Sequence, residues 1–168
     1  SNTANWTGGV LPGTADSAVF STSSLVQLVT NPSPVTLDKI IFSGERTGTS
    51  SKNFVFSSLG ADITINSSIE AIMTGTGGNH LVDGSVILGS DVTFMTDGVD
   101  TLQVGEEGTT LDLGTNDLTL DPSGGTITLA GEIDGSGGVV INGSGKINML
   151  AKGATGYTGG VTVTSGVF

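Results

Sequence analysis

Leu111-Asp112-Leu113-Gly114, Leu118-Thr119-Leu120-Asp121, Ile127-Thr128-Leu129-Ala130-Gly131 and Ile147-Asn148-Met149-Leu150-Ala151 repeat one short form through the second half of the chain. Each alternates an apolar residue with a polar one, the period of a strand that buries one face and wets the other. Leu129 and Met149 are 20 residues apart. In stacked parallel coils such residues lie about 4.8 Å above one another and build apolar ladders inside, with Thr and Asn outside.

The same alternation runs through the rest of the chain. It predicts strands at Ser17–Phe20, Leu25–Thr30, Val35–Leu37, Lys39–Phe42, Asn53–Phe56, Asp62–Ile65, Ile69–Met73, Ser85–Leu88 and Asp91–Met95. It continues at Thr101–Val104, Thr110–Leu113, Asp117–Leu120, Thr126–Leu129, Gly138–Ile141, Lys146–Leu150 and Val161–Val163. Glycine-rich turns such as Gly75-Thr76-Gly77-Gly78 and Gly135-Ser136-Gly137-Gly138 separate them. No eleven-residue stretch holds a helical apolar stripe without a glycine breaking it. Two all-β solutions compete. A β-sandwich would use fewer, longer strands joined by hairpins. A solenoid would use many short strands at two or three per coil, with a period of roughly 20–30 residues. Strand number favours the solenoid, with roughly seven coils. It forms a single domain over 1–168, with entry and capping coils at 1–43, irregular coils at 44–108 and regular repeat coils at 109–168.

Composition excludes several functions. Sixteen acidic residues face five basic ones, for a net charge of −11. Such a chain has no positive field to meet phosphates, so nucleic acid is excluded as a partner. There is no cysteine and one histidine, which removes disulfides, thiolate sites and multi-histidine zinc. The longest apolar runs are far short of the ~20 residues that span a bilayer, so no membrane insertion is expected. The polar start, Ser1-Asn2-Thr3-Ala4-Asn5, lacks signal-peptide character. The chain reads as trimmed of a signal, or as a fragment or subunit of a longer assembly.

The run Gly135-Ser136-Gly137-Gly138-Val139-Val140, Asn142-Gly143-Ser144-Gly145-Lys146-Ile147 and Gly156-Tyr157-Thr158-Gly159-Gly160-Val161-Thr162-Val163 resembles the autotransporter passenger-associated β-helix repeat. The entry segment Asn5-Trp6-Thr7-Gly8-Gly9-Val10-Leu11-Pro12-Gly13 is similar to the start of long β-helical bacterial surface proteins. The resemblance covers about half of the chain and leaves 44–101 unmatched. Ile147 and Met149 stand at the family's leucine positions, and Thr155-Gly156 replaces its Asn-Thr. It implies a right-handed parallel β-helix, secreted or displayed on a cell surface as a stalk, spacer or adhesin, without catalytic residues.

Candidate chemistry is sparse. Asp97, Asp100, Glu106 and Glu107 are close enough in sequence for a turn to set two carboxylates at a glycosidase spacing. The plainer reading is solvated turn acids, since Trp6 and Tyr157, the only tryptophan and tyrosine, are far away. No EF-hand or calcium β-roll pattern is present. Asp97-Gly98-Val99-Asp100 and Asp83-Gly84 offer weak Ca²⁺ binding at most, and no cofactor is expected. The glycine clusters lack a Walker lysine and a following helix. His80 is the only imidazole base for a triad, and no nucleophile motif accompanies it, so it reads as a loop or ladder residue. Phe42, Phe54, Phe56 and Phe94 read as core.

A stacked solenoid leaves unpaired backbone groups on its end coils. The strand-like run Val161 to Phe168 carries no cap, so it predicts continuation of the same chain or end-to-end self-association. Trp6, Tyr157, Val167 and Phe168 are the assembly-interface candidates, with Trp6 expected over the first coil. The rival functions are a polysaccharide lyase or tailspike-like glycosidase, and a carbohydrate-binding adhesin that contacts glycan or host surface through loops between Gly44 and Gly108.

Overall fold

The computed structural model describes residues 12–20, 26–45, 53–74, 77–150 and 156–165. Seventeen strands follow in chain order. The first are β1 (Ser17–Phe20), β2 (Val26–Thr30), β3 (Val35–Glu45), β4 (Asn53–Ser57), β5 (Ile63–Thr74) and β6 (Asn79–Asp83). Then come β7 (Val86–Leu88), β8 (Val92–Asp97), β9 (Thr101–Val104), β10 (Thr110–Asp112), β11 (Leu118–Ser123) and β12 (Thr126–Leu129). The last are β13 (Glu132–Gly135), β14 (Val139–Asn142), β15 (Lys146–Met149), β16 (Gly156–Tyr157) and β17 (Val161–Ser165). Every pairing between them is parallel. That excludes the hairpin-built sandwich, since a tight hairpin joins only antiparallel strands.

The strands form three stacks. One is a six-stranded sheet in the order β15-β12-β9-β6-β4-β2. The other two belong to one 11-stranded sheet, because β3 and β5 run on through a corner. Their first halves lead to β7 and their second halves to β8. The register slips at that corner, between Leu37 and Lys39, where β5 carries one extra residue. The result is a parallel β-solenoid of about five turns: two walls stack six strands each, five steps, and the third, from β1 to β17, has one strand more. The expected seven is corrected by the length of the early turns. Val35 pairs with Ile63, 28 residues on, whereas Ile127 pairs with Ile147, 20 residues on.

Stacking turns the sequence alternation into ladders. Ala18, Ile40, Ile69, Phe94, Leu120, Ile141 and Val163 lie in register on successive rungs of one wall. From Ala18 to Leu120 these side chains are buried. Phe42, Phe54, Phe56 and Phe94 are all fully buried, as expected. Burying a side chain of this size contributes about 1.5–3 kcal/mol. The Leu129–Met149 spacing places these two residues in register, as expected. The other members of the opening pattern do not share that stack: Leu111 pairs with Val86 and Ile133, on a different wall. Similar sequence recurs there because every wall imposes the same in–out alternation.

Two interior strands fall outside the predicted set. Asn79–Asp83 and Glu132–Gly135 each lie between neighbours in a stack. Their short, polar sequences are carried by pairing on both sides, which intrinsic preference does not register.

Corners are tied from rung to rung by short side chains. Asp91 accepts the Asp117 N–H at 2.9 Å, and Asp117 accepts the Gly138 N–H at 2.7 Å. Asn53 likewise accepts the Asn79 N–H at 3.1 Å. Where corners touch directly, only glycine fits. A Cβ on Gly137 would sit 1.8 Å from the Asn116 carbonyl oxygen. Leu59 is the exception in conformation, a non-glycine residue at φ 52° and 63 % exposed. Left-handed backbone costs an L-residue roughly 1–2 kcal/mol, and this side chain recovers little by burial. Leu59→Gly is therefore expected to raise stability by about 0.5–1 kcal/mol despite glycine's extra chain entropy. The urea midpoint should rise at unchanged slope.

Candidate functional site

Three places hold chemistry-bearing side chains, and the alternation decides which way each one faces. The first is inside. On β6 the residues alternate so that His80 and Val82 point inward and are buried. The His80 ring lies against Phe42, with centroids 5.1 Å apart and planes 10° apart. Phe54 flanks it at 5.4 Å and 21°. In register, His80 stands between Phe54 and Leu102 on the neighbouring rungs. It is the polar residue among Phe54, Leu102, Ile127 and Ile147 of one ladder, which Gln27 begins, so of the two expected places, loop or ladder, it takes the ladder.

Asp100 faces it from the corner before β9. Its Oδ1 is 3.8 Å from His80 Nε2, beyond direct hydrogen-bond reach. The carboxylate instead closes the corner after β5: Oδ2 accepts the Met73 N–H at 2.8 Å and Oδ1 accepts the Gly78 N–H at 2.6 Å. Both side chains are fully buried, and neither ring nitrogen has a hydrogen-bond partner. This corrects the reading of Asp100 as a solvated turn acid. The signal was available, since Asp100 shares parity with Leu102 and Val104, both inward. A pair with no opening to solvent has no access to substrate. Its carboxylate is committed to two backbone amides and does not face a surface cation at the Asp97–Asp100 turn. At Asp83, the carboxylate accepts the Ser57 hydroxyl at 2.7 Å.

The second place is a groove of about 560 Å³ lined by Gln103, Glu106, Glu107, Gly108, Ala130, Glu132 and Leu150. Glu106 and Glu107 were expected at an exposed turn and are there. Asp97 is exposed on a different corner and does not join them. Glu132 is the member that sequence reading missed. Stacking brings it in, because Thr110 and Glu132 share a register position and the Glu132 N–H donates to the Thr109 carbonyl at 2.9 Å. Among the described residues, the lining carries three carboxylates, one amide and no basic or aromatic side chain. Among the described residues, no group of three or more His, Cys, Asp and Glu side chains could hold a metal ion.

The third place is the last described rung. Val161 and Val163 stand in register with Val139 and Ile141, yet they are 54 % and 40 % exposed, while Val139 is buried. Met149 stands over buried Leu129 and is also exposed, and so is Leu150. Tyr157 is the one assembly candidate within the described residues. Trp6, Val167 and Phe168 lie outside them. The Tyr157 ring packs against the core, and its hydroxyl donates to the Gly160 carbonyl at 2.8 Å.

Burial of the Tyr157 phenol raises its pKa above the ordinary value; the backbone of Val139 opposes this and the Asp117 carboxylate adds to it. The folded chain thus holds the phenolic proton more tightly than the unfolded chain. The resulting stabilisation is complete below about pH 10, the unfolded value, and is lost as pH rises through the folded value. As the chain has a single tyrosine, absorbance at 295 nm should show a midpoint above 10 when folded and near 10 in urea. Coincident midpoints would show that the ring is not held this way.

No family model matches the chain, and no curated protein or solved structure matches it.

Proposed function

We propose that this protein is a non-catalytic structural segment of an extracellular stalk, adhesin or filament. The ladder that runs from Ala18 to Val163 through seven successive rungs carries the reading. Six steps of about 4.8 Å make a column of roughly 29 Å. The chain is spent on rungs and hydrogen-bonded corners, which suits a stiff spacer whose length follows from its number of turns. A net charge of −11 keeps such a column soluble and opposes side-by-side association. The resemblance of the Gly135 to Val163 run to the autotransporter passenger-associated repeat supports a bacterial cell-surface setting.

The acidic groove favours one rival, a glycan-cleaving or glycan-binding surface built on Glu106, Glu107 and Glu132. Fold alone does not separate the two readings. The test is incubation of the purified chain with neutral and acidic polysaccharides, reading reducing ends and unsaturated products. No product is expected. Cleavage that disappears in Glu106→Gln, Glu107→Gln or Glu132→Gln would overturn the structural reading.

A further inference from the structure

We propose that Asn142-Gly143 is a self-modification site, at which the folded chain converts the Asn142 amide to a carboxylate and sheds ammonia. This stands independently of the structural role proposed above. Asn142-Gly143 is the one Asn-Gly pair in the chain. A glycine next in sequence leaves its backbone nitrogen open to the preceding amide, because no side chain shields it. The fold fixes that glycine. A Cβ on Gly143 would lie 2.6 Å from the Cδ, nitrogen and carbonyl oxygen of Pro122, one rung back. Asn31, by contrast, is buried and precedes Pro32, which has no N–H to react.

Two neighbouring hydroxyls prepare the amide. Asn142 is the last residue of β14 and is exposed. The pairing of β14 with β17 is irregular there. Ile141 stands opposite Val163 but Asn142 stands opposite Ser165, so Thr164 is the extra residue. A bulge of this kind re-aims the side chains beside it. The Thr164 hydroxyl lies 3.0 Å from Asn142 Oδ1, and the Ser165 hydroxyl lies 3.4 Å from the same atom. The Ile141 carbonyl, also at 3.0 Å, is the other acceptor open to the Thr164 proton. When a nucleophile adds to Cγ, negative charge develops on Oδ1, and donors already aimed at that atom stabilise it. The nucleophile is the adjacent Gly143 nitrogen. The Pro122 carbonyl accepts the Gly145 N–H at 2.6 Å, and among the described residues no backbone carbonyl accepts the Gly143 N–H.

The step balances without an oxidant or reductant. The Gly143 nitrogen gives its proton to solvent and bonds to Asn142 Cγ. The Cγ–Nδ2 bond breaks, and Nδ2 takes a proton from solvent and leaves as ammonia. Water then opens the five-membered imide at one of its two carbonyls, giving aspartate or isoaspartate. Residues 135–168 hold no acidic side chain, so the product is the first carboxylate in that stretch. In the aspartate form the Thr164 and Ser165 hydroxyls meet a charged acceptor, and charge-assisted hydrogen bonds are the stronger ones. In the isoaspartate form the main chain runs through the former side chain and gains one methylene. That displaces Gly143 from its seat on Pro122 and disturbs the pairing of β14 with β17. One modification thus tightens or loosens this rung according to which carbonyl water attacks.

The test is a time course at mildly alkaline pH, run on the folded chain and in urea. Samples are digested and mapped by mass spectrometry, with the aspartate and isoaspartate forms separated by chromatography. The peptide that holds Asn142 should show the amide-to-acid mass change in the folded chain, while those that hold Asn66, Asn79, Asn116 and Asn148 lag behind it. Thr164→Val keeps the side-chain shape and removes the hydroxyl. It should slow the folded reaction by about threefold to tenfold, the worth of one hydrogen bond, and should leave the rate in urea unchanged. Gly143→Ala is unsuitable, because its Cβ would strike Pro122. The proposal is overturned if Asn142 stays intact in the folded chain, whether or not it converts in urea. It is also overturned if Thr164→Val, with its β circular dichroism intact, converts at the native rate. Should that variant lose its circular dichroism, Ser165→Ala removes the other donor and decides by the same comparison.

Discussion

Asp100→Ala should lower the stability of the folded chain by about 3–5 kcal/mol, the usual cost of removing one partner from a buried charged network. The carboxylate accepts two backbone N–H groups, from Met73 and Gly78. Without it, both donors are stranded in the interior at roughly 1–3 kcal/mol each, and the cavity lets the corner collapse. His80, already without hydrogen bonds to either ring nitrogen, loses its nearest charged neighbour as well. For a chain of this length such a loss corresponds to a fall of roughly 6–20 °C in Tm. Asp100→Asn keeps the volume and one acceptor oxygen, so its cost should be smaller, about 1–3 kcal/mol. Urea unfolding of the three proteins checks the order. Equal midpoints for the native chain and Asp100→Ala would mean that the corner is closed by something other than this side chain.

Phe42→Ala should be comparably severe, about 3–5 kcal/mol. Phe42 is the hub of the aromatic cluster, with ring centroids 5.2 Å from Phe20, 6.0 Å from Phe54 and 5.1 Å from His80. It is fully buried, so truncation removes both its own burial and one side of the His80 sandwich. In a stacked fold each rung touches only its neighbours, and the damage should stay local. Hydrogen exchange should show lost protection in β1, β3, β4 and β6, while β11 and β12 remain protected. Uniform loss across all rungs would show that the solenoid unfolds as a single cooperative unit. Phe42→Leu, which keeps most of the volume, should cost less than half as much.

These two residues also mark what could be read from the sequence alone. Phe42 was legible as core because the alternation in Lys39–Phe42 places it beside Ile40 on the inward side. Asp100 was not read that way, although its parity with Leu102 and Val104 makes the same case. Its place beside Asp97 and a glycine gave the stronger impression of a wet turn. In the groove, Glu106 and Glu107 could be located to a turn. Glu132 joins them only because it stands one turn later in the same corner, and that register depends on how many residues each turn spends.

The in–out assignment of most strands, the absence of helix among the described residues and the stacked character of the fold were determined by the sequence itself. All three follow from a period of two broken by glycine, a property of neighbouring residues. Tertiary structure alone decided the turn number, the three-walled arrangement with β3 and β5 passing through a corner, and the partners of His80, Asp100 and Glu132. Each of these depends on which residues, 20 to 29 positions apart, come into register. A turn can lengthen at its corner without changing the alternation on either side, so local pattern leaves register open. Packing against the next rung closes it.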